Sequence, residues 1–520
     1  MHILYIPCTE AAYGFKPFIN NVTGKAGKMA QKNNLTTEER EFLSIVREAS
    51  LTNPFSRKRI DMDRQISGFF PGESRSGRID KTVNEVNRRI NELEKEERAD
   101  INLFSGKDRI LIEAAFLFEF FYRFRHQFDR MIENQIEAGD TPVRVVFAAD
   151  ALSLIRRRGF SVPDSLRYFA LSYQLRRAFF FIGRSLIGQS NVMKKLRRNL
   201  WDNVFTHNLD LYNRYLWNRL EDFSTLLLGE TGTGKGTAAM AMGRSGFIPF
   251  NERKKCFIES FTRSFSALNF AQFPETLIES ELFGHKKGAF TGAVKDFKGI
   301  FDRCSPYGAI LLDEIGEISI PVQIKLLQVL QDRTFTPVGS HEQGRFQGRV
   351  IAATNRSIED IRDKGVFRDD FYYRLCSDQI TVPPLRRRIQ EDNRELGDLL
   401  AHTVQRMVGR PSPELVEMIK DVIDKKLGPD YPWPGNVREL EQCVRSVLLK
   451  RSYTGDRKSA EPDLESSLAR SIKTGDMDAQ KLVSGYCRLL YQRHGTFEEV
   501  ARRTQLDRRT VKKYINESEK

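Results

Sequence analysis

Residues 224–237 read STLLLGETGTGKGT, and this stretch decides the fold. The first five, ending in three leucines, read as a short buried strand. They lead directly into Gly229, Glu230, Thr231, Gly232, Thr233, Gly234, Lys235, Gly236 and Thr237, after which AAMAM is helix-forming. Strand, glycine-rich loop, lysine and helix in that order make a backbone cradle for phosphates. Loop and helix-terminal N–H groups face the anion, and the lysine ammonium neutralises its outer charge. The plainer reading is a glycine-rich turn with no ligand, and the downstream sequence argues against it. One departure is visible. A phosphate loop commonly has Ser or Thr after the lysine, where the hydroxyl ligates Mg²⁺; here that position is Gly236, with Thr237 the next hydroxyl.

The matching half is AILLDE at 309–314, an apolar run ending in two carboxylates. At the C-terminal end of a buried strand, where open α/β sheets take ligands, Asp313 would hold Mg²⁺ through its water shell. Glu314 would orient and polarise the attacking water. ATP and Mg²⁺ are therefore the expected cofactors. Strands and helices alternate from about 183 to 450, which predicts an α/β domain on a mainly parallel sheet.

At 520 residues the chain should divide into three or four domains. A net charge of +14 favours a polyanionic partner such as nucleic acid. The six cysteines are scattered without a CxxC pair, which gives no zinc signature and suits a reducing compartment. The longest apolar runs fall short of the roughly 20 residues needed to span a bilayer, and MHILYIPC lacks the features of a signal peptide. A cytoplasmic protein with no membrane association is expected.

Residues 1–182 carry no nameable motif and read as an α/β or α+β regulatory region. A strand is expected at 1–7, a charged helix at 83–98, a buried strand at 143–148 and an amphipathic helix at 166–182. Over 110–132, Leu117, Phe121, Phe124, Phe128 and Met131 recur at helical spacing, a pattern that serves as core more often than as a ligand pocket. A phosphorylated receiver would show an acidic pair after its first strand, and Thr9-Glu10-Ala11-Ala12 does not supply it.

Between the two halves of the nucleotide motif lies ESELFGHKKGAFTGA at 279–293, with the core Gly288, Ala289, Phe290, Thr291, Gly292 and Ala293. Glycines at both ends permit a tight turn, which places Phe290 and Thr291 at its tip. Bacterial sigma-54-dependent transcription activators carry this hexapeptide, and residues 184–450 resemble their AAA+ ATPase region. The resemblance begins at LIGQS, 186–190. It implies that the hexapeptide contacts sigma-54 and that the ATPase works as a homo-oligomer, a hexamer in the family. Asn269 corresponds to the family's switch asparagine, which moves the catalytic glutamate between poses. Thr354 and Asn355 in VIAATN correspond to its first sensor, and Arg438 in WPGNVREL to its second. Arg368 and Arg374 in FRDDFYYRL match arginines offered to a neighbouring subunit's ATP, where a guanidinium stabilises the transferring phosphoryl group. The family usually has an acidic residue where this chain has Gly236. Residues 246–265, GFIPFNERKKCFIESFTRSF, also depart from the usual wording.

Residues 496–515 read as helix, turn, helix. Thr496 caps the first with Glu499 at the box position, and Asp507 caps the second. Arg508, Arg509, Thr510, Lys512 and Lys513 would project toward double-stranded DNA, and the unit resembles the activators' C-terminal module. The expected organisation is a regulatory region at 1–182, an ATPase core at 183–390, a helical lid at 391–450, a linker at 451–477 and a helix-turn-helix module at 478–520. The reading is an ATP-hydrolysing activator that remodels the sigma-54 RNA polymerase closed complex. The alternatives are a remodeller of another protein and a DNA-binding regulator with an inactive ATPase.

Overall fold

A computed structural model of the chain describes residues 34–68, 74–219, 222–363, 365–455, 468, 471, 472, 475 and 477–516. The strand expected at 1–7 and most of the linker expected at 451–477 lie outside them. The chain packs as two compact units. Of the described residues, the first comprises those within 34–50, 61–123 and 150–165. Its helices include Arg75–Lys95 and Gly106–Arg123. Arg158 is buried there between Glu119, at 2.8 Å, and Glu94, at 2.6 Å.

Of the two strands expected ahead of the nucleotide motif, the one at 143–148 is corrected: among the described residues before 224 there are helices and no strand. Residues 143–148 do not form one. Val145 is buried and its N–H donates to Lys255 O at 2.8 Å, but Val146 is 87% exposed and a helix begins at Ala148. Among the described residues its β-type pairing is one isolated bridge, Arg144 to Cys256. The helix expected over 110–132 is two, Gly106–Arg123 and Arg125–Ala138, broken at Phe124. Phe124, Phe128 and Met131 are core. The helix Val162–Ser185 runs unbroken through the expected 182/183 junction.

The second unit holds residues 51–60, 124–149 and 166 onward. Its sheet has five strands: β1 (Thr225–Leu228), β2 (Phe265–Asn269), β3 (Ala309–Asp313), β4 (Arg349–Thr354) and β5 (Asp378–Thr381). They lie in the order β2-β3-β4-β1-β5, and every pairing is parallel. Continuous apolar runs such as AILL in β3 and VIAA in β4 follow from burial on both faces. In register, Asn269 pairs with Asp313, and Leu228 with Thr354. The loops leaving β1, β3 and β4 therefore emerge on one edge. Four helices, Leu385–Glu391, Arg394–Val408, Pro413–Lys426 and Asn436–Lys450, follow with a core of their own around Leu400, Ile419, Trp433 and Leu440.

Candidate functional site

The loop after β1 is built around glycines that nothing larger could replace. At Gly232, with φ +79°, a Cβ would stand 2.3 Å from Gly435 O of the helical lid; at Gly229 it would stand 2.7 Å from Val382 O. Gly234, with φ +102°, leads into the helix Lys235–Gly243. Lys235 is buried, and its ammonium donates to Gly229 O at 2.7 Å and Glu230 O at 3.2 Å. Burial lowers its pKa, opposed by the carboxylates of Glu314 and Asp313. The Glu230 carboxylate turns to the lid, accepting from Arg386 at 2.8 Å and from Asn436 at 3.1 Å. The Arg386 pair holds its pKa low. This clamp was not legible in the sequence, since its partners lie 156 and 206 residues away.

Asp313 and Glu314 face the same cleft, a cavity of about 370 Å³ that also holds Thr231 through Thr237 and Arg438. Glu314 sits in the left-handed region at φ +54°. For a non-glycine residue this is a strained conformation of the kind concentrated at functional sites. Asn269 donates to Asp313 Oδ2 at 3.4 Å and accepts from Ala271 N at 2.9 Å, so it touches the aspartate of the pair. Asn355 donates to Thr231 Oγ1 at 3.3 Å, while Thr354 is fully buried. Two carboxylates with the Thr237 hydroxyl in one cleft are the hard oxygen donors that suit Mg²⁺ alongside phosphate. A Cβ on Gly236 would meet nothing within 4 Å, so the missing side chain leaves open space. Apolar Ile187, Met193, Leu196 and Leu399 line one part of the cleft, and His402, Thr403, Arg406 and Glu441 another.

Arg368 and Arg374 are not among the residues lining it. The first is exposed and paired with Asp370 at 2.8 Å; the second donates Nε to Leu330 O at 2.9 Å.

The segment 284–297 is a loop closed at its base by paired His285 and Phe297 backbones and by Gly288 N to Ala293 O at 2.8 Å. Gly288 (φ +81°) and Gly292 (φ +102°) make the bends, Thr291 is exposed and Phe290 is 37% exposed. The Phe290 ring meets His285 edge-on at 4.9 Å. A second loop, missed in the sequence, supports the first: Lys286 N donates to Val338 O, and a Cβ on Gly339 (φ +75°) would stand 2.7 Å from Ala289 Cβ. Gly339→Ala is therefore expected to displace the Gly288–Ala293 turn, read as increased proteolytic cleavage there at unchanged nucleotide affinity. An unchanged cleavage pattern would show the two loops to be independent.

At the C-terminus the helices Ala479–His494, Phe497–Thr504 and Arg508–Asn516 pack around Cys487, Leu490, Val500 and Val511. Thr496 caps its helix through Glu499 N at 3.4 Å, and Asp507 caps the next through Arg509 N and Thr510 N, both at 3.0 Å. Arg509, Lys512 and Lys513 are exposed. Thr510 spends its hydroxyl on Asp507, and Arg508 is paired with Glu498 at 2.8 Å, so these two are engaged within the module.

A parallel sheet with a phosphate-type loop after β1, paired carboxylates after β3 and a helical lid closing the cleft defines an AAA+-like α/β ATPase fold. Residues 208–381 match the family described as the sigma-54 interaction domain. The Nif-specific regulatory protein of Azotobacter vinelandii is 44% identical over 239 residues, 46% of this chain and 41% of that protein. Regulatory protein AtoC of Escherichia coli K12 is 37% identical over 256 residues, covering 48% and 51%. The DNA-binding transcriptional regulator NtrC of Rhizobium meliloti is 35% identical over 305 residues, covering 56% and 54%. The chain thus spans about half the length of these curated relatives. Among the described residues no helix is long and apolar enough to cross a membrane.

Proposed function

We propose that this protein is an ATP-hydrolysing, sigma-54-dependent transcription activator. The observation that carries the reading is the convergence of the glycine loop, Lys235, Asp313, Glu314 and Arg438 on one cleft, in a chain that also presents Phe290 and Thr291 at the exposed tip of the Gly288–Ala293 turn. The loop N–H groups and Lys235 bind the phosphates, and Asp313 with Thr237 holds Mg²⁺, which supplies charge neutralisation on the phosphates when bound. Glu314 orients the attacking water, and Asn269 reports the carboxylates' state along the β2–β3 edge. Thr354 and Asn355 sense the outer phosphate from β4, and Arg438 senses it from the lid. Ile187, Met193 and Leu196 offer a surface for the base.

Arg368 and Arg374 are placed away from their own cleft, as required of groups that act on a neighbouring copy's nucleotide. Hydrolysis is then coupled to assembly of a homo-oligomeric ring. Nucleotide state biases the Gly288–Ala293 turn toward sigma-54, and the C-terminal module holds upstream DNA through Arg509, Lys512 and Lys513, with Arg508 freed from Glu498 on binding.

Thr291→Ala tests the division between engine and output. ATPase activity is expected within about twofold of wild type, because Thr291 is exposed and is not among the residues lining the cleft. Open-complex formation with sigma-54 polymerase should fall by at least an order of magnitude, given that most of a small contact's energy sits in a few anchors. Full open-complex formation by the variant would overturn the assignment of the loop.

A further inference from the structure

Residues 124–149 and 166–185 pack in the same compact unit as the nucleotide cleft. From the helix Val162–Ser185, Gln174 and Arg177, both fully buried, reach the chain that leaves the helix Lys235–Gly243. Arg177 donates Nη1 to Arg244 O at 2.8 Å and Nη2 to Gly246 O at 2.6 Å. Gln174 donates to Ser245 O at 2.9 Å and exchanges hydrogen bonds with the Tyr212 hydroxyl. Three successive carbonyls are thus held by two side chains of one helix.

The guanidinium lies over Tyr173 at 4.6 Å and Phe261 at 5.7 Å and forms no ion pair among the described residues. Burial lowers its pKa to about 10, so it stays charged at neutral pH. A buried charge is costly unless its surroundings stabilise it. Here it faces the negative end of a helix whose positive end carries Lys235.

The segment 246–265, whose wording departs from the family's, supplies the rest of the seat. Ser260 Oγ donates to Gly139 O at 2.8 Å, Thr262 to Asp140 at 3.0 Å, and Phe169 packs on Phe250 and Phe257. Arg176 pairs with Asp129 at 2.5 Å, which ties the helix Arg125–Ala138 to the same brace.

We propose that Arg177 is a positioning residue for the nucleotide site, fixing the far end of the phosphate-loop helix, so that residues 166–185 are a working part of the ATPase and not a removable sensor. The inference rests on the nucleotide-binding reading above. The test is the affinity of the full chain for a fluorescent mant-ADP probe. Arg177→Met, which keeps the bulk and loses the donors, should weaken binding about tenfold or more, as expected when a phosphate cradle shifts by a fraction of an ångström. Arg177→Lys should recover part of that loss. Phe128→Leu, in the same aromatic layer but touching none of the three carbonyls, should lower the melting midpoint with affinity within about twofold of wild type. Should Arg177→Met fail to fold, Arg177→Lys and Gln174→Met carry the test, each expected to weaken binding about threefold. Affinity unchanged in the folded variants, or weakened as much by Phe128→Leu, overturns the proposal. A wild-type chain that does not bind mant-ADP overturns the nucleotide reading instead.

Discussion

Glu314→Gln is expected to abolish ATP turnover while leaving nucleotide bound. The residue follows β3 and lines the cleft that also holds Lys235 and the glycine loop. A glutamine fills the same space and tolerates the φ of +54° no worse than glutamate does, so the site should assemble. What it loses is a carboxylate able to accept a proton from, and polarise, the attacking water, an effect of about 10²–10⁴ in rate. Lys235→Ala provides the contrast. Its ammonium is the buried cation of the loop, and removing a charged hydrogen-bonding partner of a phosphate costs about 1.5–3 kcal/mol, roughly ten- to a hundredfold in affinity. Turnover should fall with it. The two variants thus separate binding from chemistry: one traps ATP, the other fails to hold it. Hydrolysis by Glu314→Gln within tenfold of wild type would remove Glu314 from the role proposed for it.

How much of this was open to a reader of the sequence depends on how far apart the partners lie. The glycine loop, the helix after it and the strand ending in Asp313 and Glu314 are short local patterns, and each was placed from its own residues. The helix caps at Thr496 and Asp507 were readable for the same reason, because a capping side chain acts within three residues. Arg177 was not. It sits in LRRAFFF at 175–181 beside Arg176, and nothing local separates the residue that is buried on carbonyls from the neighbour that is paired with Asp129. VRVVFAA at 143–149 misled in the other direction, since β-branched residues invite a strand. Pairing is what a strand needs, and this segment finds a bridge at Arg144 and the Val145–Lys255 hydrogen bond before a helix begins. The aromatic spacing over 117–131 was real but crossed the helix break at Phe124.

The largest effect on stability is expected at Glu395, which is fully buried in the lid helix Arg394–Val408. Its carboxylate accepts from Arg388 Nη2 at 2.8 Å and from Ser190 N at 2.7 Å, and a Cβ on Gly188 would stand 2.1 Å from one of its oxygens. Arg388 in turn donates to Ile187 O at 2.6 Å. One ion pair therefore fastens the segment 186–190, which borders the cleft, to the lid that closes it. Glu395→Leu leaves the Arg388 charge buried without its partner, a loss of about 3–5 kcal/mol. At roughly 1 °C per kcal/mol for a unit of about 400 residues, calorimetry should show the melting transition lowered by about 3–6 °C. Adding Arg388→Leu removes the stranded charge but frees Ile187 O, so the double variant should melt above the single and below wild type. That ordering is the signature of coupled residues in a double-mutant cycle. If the two losses simply add, the pair is not what holds the segment to the lid. Nucleotide affinity then discriminates further: because Ile187 faces the cleft, a loosened 186–190 segment weakens binding even at temperatures where the lid remains folded, whereas a lid that merely melts earlier leaves affinity at low temperature unchanged.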